Sequence, residues 1–277
     1  MPALAADCPL PAMERFQSHL VKSGENLKSI AAQYNLQPTT ITRMNPNIGS
    51  GNLRVGEEIL IPPFNGEVVR VSSNQTWKQL AARYKIRADV LFEVNGCQEN
   101  PTVVFVPKLD KSSLTTTNNT SNNNTSTPES FGYPLSETFQ VGFPYGWQVH
   151  PTTKEVFFHS GTDLLATNGT FVQAIAPGKV VFAGEKGSYG NLVIINHEGG
   201  LQSRYAHLES VQVNLGQTVN QGDLLGAVGS TGEPTIKRSH LHLEIRSSSS
   251  LGWVAKDPKE YLSKIKNSKN STDSNQN

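Results

Sequence analysis

The sequence predicts an α+β multidomain protein: two small βααβ units, then a mostly antiparallel-β domain. Three observations carry that prediction. A residue pattern recurs after about fifty positions between Leu20 and Pro107. A Ser/Thr/Asn-rich stretch from Lys111 to Ser130 separates the repeats from the C-terminal half of the chain. Beyond Phe131, short apolar runs alternate with glycine turns, and no long helical period appears.

Composition limits the function classes. A chain of 277 residues that is 36% hydrophobic can bury more than one core. A net charge of +1 gives no reason to expect nucleic acid or an anionic membrane as the main partner. No stretch is long and apolar enough for a membrane span. Met1-Pro2-Ala3-Leu4-Ala5-Ala6-Asp7 reads as the small-residue tail of a signal peptide, which predicts an exported protein. Cys8 and Cys97 are the only cysteines, and an even count in an exported chain predicts one disulfide between them, tying an N-terminal arm (1–17) to the second repeat. Asp7 before Cys8 argues against a lipid-modified cysteine, which would come after a small residue.

The repeats occupy 18–63 and 66–108. Leu20-Val21-Lys22-Ser23 is echoed by Val69-Arg70-Val71-Ser72, Ile30-Ala31-Ala32-Gln33-Tyr34 by Leu80-Ala81-Ala82-Arg83-Tyr84, and Asn45 by Asn95. Each copy closes on an apolar strand and a proline, at Ile59-Leu60-Ile61-Pro62 and Val103-Val104-Phe105-Val106-Pro107. Leu27, Ile30, Ala31 and Tyr34 lie at helical spacing, and a second short helix begins near Pro38. Together with Gly24-Glu25-Asn26, Asn45-Pro46, Leu53 and Gly56-Glu57, the first copy resembles the LysM domain. The second is looser, with Trp77 in place of Leu27 and no Leu-x-x-Gly-Glu segment. The resemblance implies two LysM domains that bind N-acetylglucosamine chains of peptidoglycan or chitin.

Residues 109–130 cannot bury enough apolar surface to offset ordering, so composition predicts a flexible linker. About twenty such residues span roughly 25 Å root-mean-square, enough to let the flanking parts move independently, or to let the repeats fold back and contact the C-terminal domain. Residues 267–277 read as a disordered polar tail.

The domain at 131–266 carries the chemistry. Strand-like runs are Phe171–Ile175, Lys179–Ala183, Leu192–Asn196 and Thr218-Val219. Ser239-His240-Leu241-His242-Leu243-Glu244-Ile245 alternates as a strand does, which places His240 and His242 on one face. His159-Ser160-Gly161-Thr162-Asp163 offers an imidazole and a carboxylate in a loop entering a strand. With one histidine of the His240/His242 pair, these supply three ligands, the count of a catalytic zinc that keeps a fourth position for water. Spacing alone does not choose between His240 and His242. Tyr205-Ala206-His207-Leu208 supplies a further histidine. His150 before Pro151 reads as structural, His197 before Glu198-Gly199-Gly200 as a turn residue, and His19 as part of the first repeat.

Gly146-Trp147-Gln148-Val149-His150-Pro151, His159-x-x-x-Asp163, Tyr205-Ala206-His207-Leu208, Gly229-Ser230-Thr231-Gly232 and Ser239-His240-Leu241-His242-Leu243-Glu244-Ile245-Arg246 resemble, in order and spacing, the M23 peptidases of the lysostaphin and LytM type. The resemblance implies zinc held by His159, Asp163 and His242, with His207 and His240 as catalytic, non-ligand histidines. The segment Glu233–Arg238 is longer than is usual in the family and predicts a reshaped rim of the cleft. The implied protein is a zinc endopeptidase of the bacterial periplasm or extracellular envelope that cuts stem-peptide cross-links, D-alanyl–diaminopimelate before glycine bridges. Two other readings stand beside it: an inactive LytM-type regulator of a cell-wall amidase, which would lack part of the ligand set, and a pure glycan-binding protein.

Overall fold

The computed structural model describes residues 8–49, 52–72, 74–108, 131–136 and 139–262, which fall into two compact units divided after Asn119. The stretches read as linker (109–130) and tail (267–277) lie outside the described residues, as do residues 1–7.

Both repeats fold as βααβ. The first comprises β1 (Gln17–Leu20), α1 (Leu27–Gln33), α2 (Pro38–Met44) and β2 (Glu58–Ile61). The second comprises β3 (Gly66–Arg70), α3 (Trp77–Tyr84), α4 (Ala88–Val94) and β4 (Val103–Pro107). In each, the two strands pair antiparallel. The helices start where side chains can satisfy orphan amides: Asn26 and Ser29 form a capping box on α1, Thr76 and Gln79 form one on α3, and Pro38 opens α2 where no amide hydrogen is needed. Val21, Ile30, Ala31, Ile41, Ile59 and Ile61 fill the first core.

The repeated asparagine explains why the two copies close alike. Asn45 Nδ2 donates to Ile41 O (2.9 Å) and Leu60 O (2.7 Å), and its Oδ1 accepts from Leu60 N (2.7 Å). Asn95 does the same with Leu91 O, Phe105 O and Phe105 N at 2.8, 2.9 and 2.7 Å. One amide thus fastens the end of the second helix to the closing strand in both units. The predicted disulfide joins Cys8 to Cys97 with the Cα atoms 5.8 Å apart, so the arm is tied down beyond α4.

The C-terminal unit is built from β5 (Gln140–Phe143), β6 (Gly146–Val149), β7 (Val156–His159), β8 (Thr162–Leu165), β9 (Phe171–Gln173) and β10 (Gly178–Glu185). After them come β11 (Asn191–His197), β12 (Leu201–Val211), β13 (Thr218–Val219), β14 (Leu224–Val228), β15 (His240–Ser249) and β16 (Gly252–Lys256). The main sheet runs β13-β10-β11-β12-β15-β8-β5, while β6 and β7 form a separate antiparallel hairpin. The run expected to Ile175 ends as a strand at Gln173, because Ala174 N turns to bond Asp223 O.

The pleat of β15 divides its side chains. Leu241, Leu243 and Ile245 enter the core with Val193, Tyr205 and Leu208, which leaves His240, His242, Glu244 and Arg246 on the other face. His197 departs from its reading as a turn residue. It ends β11 and is buried; its Nδ1 lies 2.8 Å from Pro177 O and its Nε2 2.7 Å from Ser203 Oγ, and burial lowers its pKa. His150 caps a turn, accepting from Thr152 N and Thr153 N.

Candidate metal centre

Strand register assembles the centre. Asp163 on β8 lies opposite His242 on β15, and His242 lies opposite Ala206 on β12. His159, at the end of β7, reaches the same point because Ser160-Gly161 turns the chain directly into β8. Glycine is required there: a Cβ on Gly161 would come within 2.8 Å of His242 Nε2 and 2.5 Å of Leu243 O. His207 stands at a register break in β12 and has a φ of 60°, a left-handed conformation that a branched or bulky side chain rarely adopts. All five residues singled out in the sequence are therefore buried and adjacent. The ring centroids of His159 and His242 are 4.9 Å apart, those of His207 and His240 5.2 Å, and those of His207 and His242 5.7 Å.

Backbone carbonyls fix which nitrogen of each ring faces inward. His159 Nδ1 donates to Pro144 O (2.8 Å), His207 Nδ1 to Thr231 O (2.9 Å) and His240 Nδ1 to Arg238 O (2.6 Å). Each Nε2 is then a bare acceptor. His242 is reversed: its Nε2 faces Glu244 Oε1 at 3.4 Å and its Nδ1 points into the cluster. Three electron pairs consequently meet, with Asp163 Oδ1 2.8 Å from His242 Nδ1 and 3.2 Å from His159 Nε2, and the two nitrogens 3.2 Å apart.

Such a convergence of acceptors needs positive charge between them. His159, Asp163 and His242 offer donor atoms that all lie within 4.8 Å of one another and could hold a metal ion. Their separations approach the roughly 3.3 Å expected between tetrahedral ligands that sit about 2.0–2.1 Å from zinc. A second pair of atoms points the same way. His240 Nε2 and Asp163 Oδ2 are buried, lack hydrogen-bond partners and stand 3.6 Å apart. The residues present thus fit a cation.

The electrostatics agree. Burial pushes the Asp163 carboxyl up, but with protons rather than a metal ion between the three side chains, hydrogen bonds from His159 and His242 outweigh it and hold it well below the carboxylate range. Burial disfavours a charged His242, yet Asp163 and Glu244 raise it to about 9, a measure of how strongly this pocket favours a cation. His207 is lowered to about 3 by burial and by positive charge at His242, and burial also lowers His240. These two rings are held neutral.

Glu244 has no role in the sequence pattern beyond its place on the strand, and the structure gives it one. Fully buried, it accepts from Ser160 Oγ and Tyr189 Oη (2.6 Å each) through Oε1, and from Arg246 Nε (2.6 Å) through Oε2, with Arg204 Nη1 3.6 Å away. Burial would raise its pKa, but Arg246, His242 and Arg204 keep it ionised. It holds the outer nitrogen of His242 and so orients the inner one. The available signal was the two-residue alternation, which puts residue 244 on the face of 240 and 242.

Comparison with known proteins agrees with both parts of the chain. The sequence profile of Peptidase family M23 matches residues 157–254, and that of the LysM domain matches residues 19–62 alone, so the second βααβ unit shares the fold without the match. DD-carboxypeptidase/endopeptidase Mpg of Neisseria meningitidis is 41% identical over 107 residues, 39% of this chain and 24% of that protein. Peptidoglycan DD-endopeptidase ShyA of Vibrio cholerae is 35% identical over 114 residues, 41% of this chain and 26% of that protein. The chain therefore spans about a quarter of the length of each of these relatives. Uncharacterized lipoprotein YgeR of Escherichia coli is 30% identical over 215 residues, which cover 72% of this chain and 82% of the relative.

Proposed function

The chain belongs to peptidase family M23 and carries a LysM domain, and from that premise we propose that it is a zinc endopeptidase that hydrolyses peptide cross-links of bacterial peptidoglycan while its N-terminal unit holds the glycan. The observation that carries this reading is the meeting of His159 Nε2, Asp163 Oδ1 and His242 Nδ1 at 2.8–3.2 Å beside the unpartnered His240 Nε2.

Zinc bound to those three residues would polarise the scissile carbonyl and acidify a water. The chain's own residues supply the remainder. His207 and His240 present bare Nε2 atoms to the same space, each fixed by a backbone carbonyl behind it. One of them can take the proton of the attacking water and pass it to the departing amine. The other, its Nδ1–H held by a backbone carbonyl, can accept a hydrogen bond at its bare Nε2 and so orient the attacking water. Their depressed pKa values keep them available as bases at neutral pH.

The names of the two DD-endopeptidase relatives support a D,D amide, and so the D-alanyl–diaminopimelate cross-link, as the bond cut. We read residues 66–108 as a second LysM domain, supported by the shared βααβ order and the Asn45/Asn95 correspondence. A lipoprotein relative supports a place in the cell envelope. No helix among the described residues is long and apolar enough to cross a membrane. The test is mass spectrometry of soluble products from purified sacculi, with and without a chelator. New free amino groups at cross-links, lost on chelation and restored by zinc, are expected; sacculi left intact by a zinc-loaded chain would sink the reading.

A further inference from the structure

Beside the metal centre lies a pocket of about 790 Å³ whose lining includes Phe139, Gln140, Leu165, Asn168, Lys237 and Arg238. Its floor is in register with the catalytic histidine. His240 lies opposite Leu165 on β8, and Leu165 lies opposite Gln140 on β5, so the three side chains share the face that carries Asp163 and His242. Leu165 and His240 are therefore cross-strand neighbours, about 5 Å apart at Cα, or little more than one residue of an extended peptide.

The wall comes from the end of the segment 233–238. Ile236 anchors it: a Cβ on Gly142 would come within 2.5 Å of Leu165 Cδ2 and 3.1 Å of Ile236 Cδ1, so glycine in β5 leaves room for the segment to settle against β8. That anchoring carries Lys237 and Arg238 to the rim. Both are exposed, and neither has an ion-pair partner among the described residues. Arg238 is also fixed at its backbone, because its carbonyl oxygen accepts from His240 Nδ1. The result is an aliphatic and aromatic trough ending in two unpaired cations, one a planar fork suited to a carboxylate.

We infer that this pocket is a substrate subsite for a free carboxylate on the stem peptide, one residue from the scissile amide. The inference rests on the peptidase reading and deepens it by naming the charge that the substrate must carry. Diaminopimelate, with a carboxyl group beside each of its amino groups, has that chemistry at the cross-link.

The test uses the full zinc-loaded chain and paired ketomethylene isosteres of a cross-linked peptide, one with free carboxylates and one amidated. Calorimetry should find the free acid bound about tenfold more tightly, with the gap narrowing in 1 M salt. The gap should vanish in the K237Q/R238Q variant and persist in K237R. Equal affinities for the two forms, or a gap unchanged in K237Q/R238Q, would overturn the subsite. Cleavage of the ordinary amide is scored separately. Cleavage with equal affinities removes the subsite alone, whereas a preserved gap without cleavage removes the peptidase reading alone.

Discussion

Four imidazoles crowd the centre, and what separates them is the partner behind each ring. His159, His207 and His240 lean on backbone carbonyls, which fix a tautomer at no charge cost, whereas His242 leans on a buried, ionised Glu244. A carboxylate behind an imidazole strengthens it as a ligand. This asymmetry predicts a graded series in a competitive zinc titration. His242→Ala should lose the metal and all turnover. Glu244→Gln should keep the fold but weaken zinc by about ten- to a hundredfold. His240→Ala should hold about one zinc per chain while kcat falls by about 10²–10⁴. Loss of zinc from His240→Ala with retention in His242→Ala would reverse the ligand assignment.

At the level of elements, the centre is a product of strand register, and that decides how much of it could be read from sequence. The pairing of His240 with His242 was legible because the pleat has a period of two. The fit of Asp163 against His242 was not, since it depends on β8 and β15 meeting across some eighty residues in one register. His207 reaches the site through a break in β12 and a left-handed backbone that no local pattern announces. Glu244 gathers Ser160, Tyr189 and Arg204 from three separate elements, so its role stayed hidden even though its position was plain. The disulfide, by contrast, came from counting two cysteines in a chain read as exported. It closes a loop across a sequence separation of 89, so the Cys8→Ser/Cys97→Ser variant should unfold more readily by about 2–4 kcal/mol. Urea titration of the isolated N-terminal unit monitored by tryptophan fluorescence, with Trp77 as its sole reporter, would measure this. An unchanged midpoint would mean that the arm contributes nothing to that unit.

Across the whole molecule, the two units each have their own core, and the proposed function divides binding from chemistry between them. All the side chains assigned to hydrolysis lie in the C-terminal unit, as do the carbonyls and the carboxylate that fix their rings. On the proposed reading the N-terminal unit contributes through local concentration, an effect that depends on the substrate being a polymer that both units engage at once. Removing residues 1–108 should therefore leave kcat/KM on a small soluble cross-linked peptide within about twofold of the full chain, while the rate of sacculus solubilisation at limiting enzyme falls by about tenfold or more. Comparing both substrates in one experiment separates tethering from its rival. If the N-terminal unit instead folds back over the cleft, as a linker of that length would permit, truncation should raise the rate on the small peptide. A rise there would replace the tether with an inhibitory contact, because a pure increase in local concentration cannot accelerate or slow a reaction on a molecule too short to be bound twice.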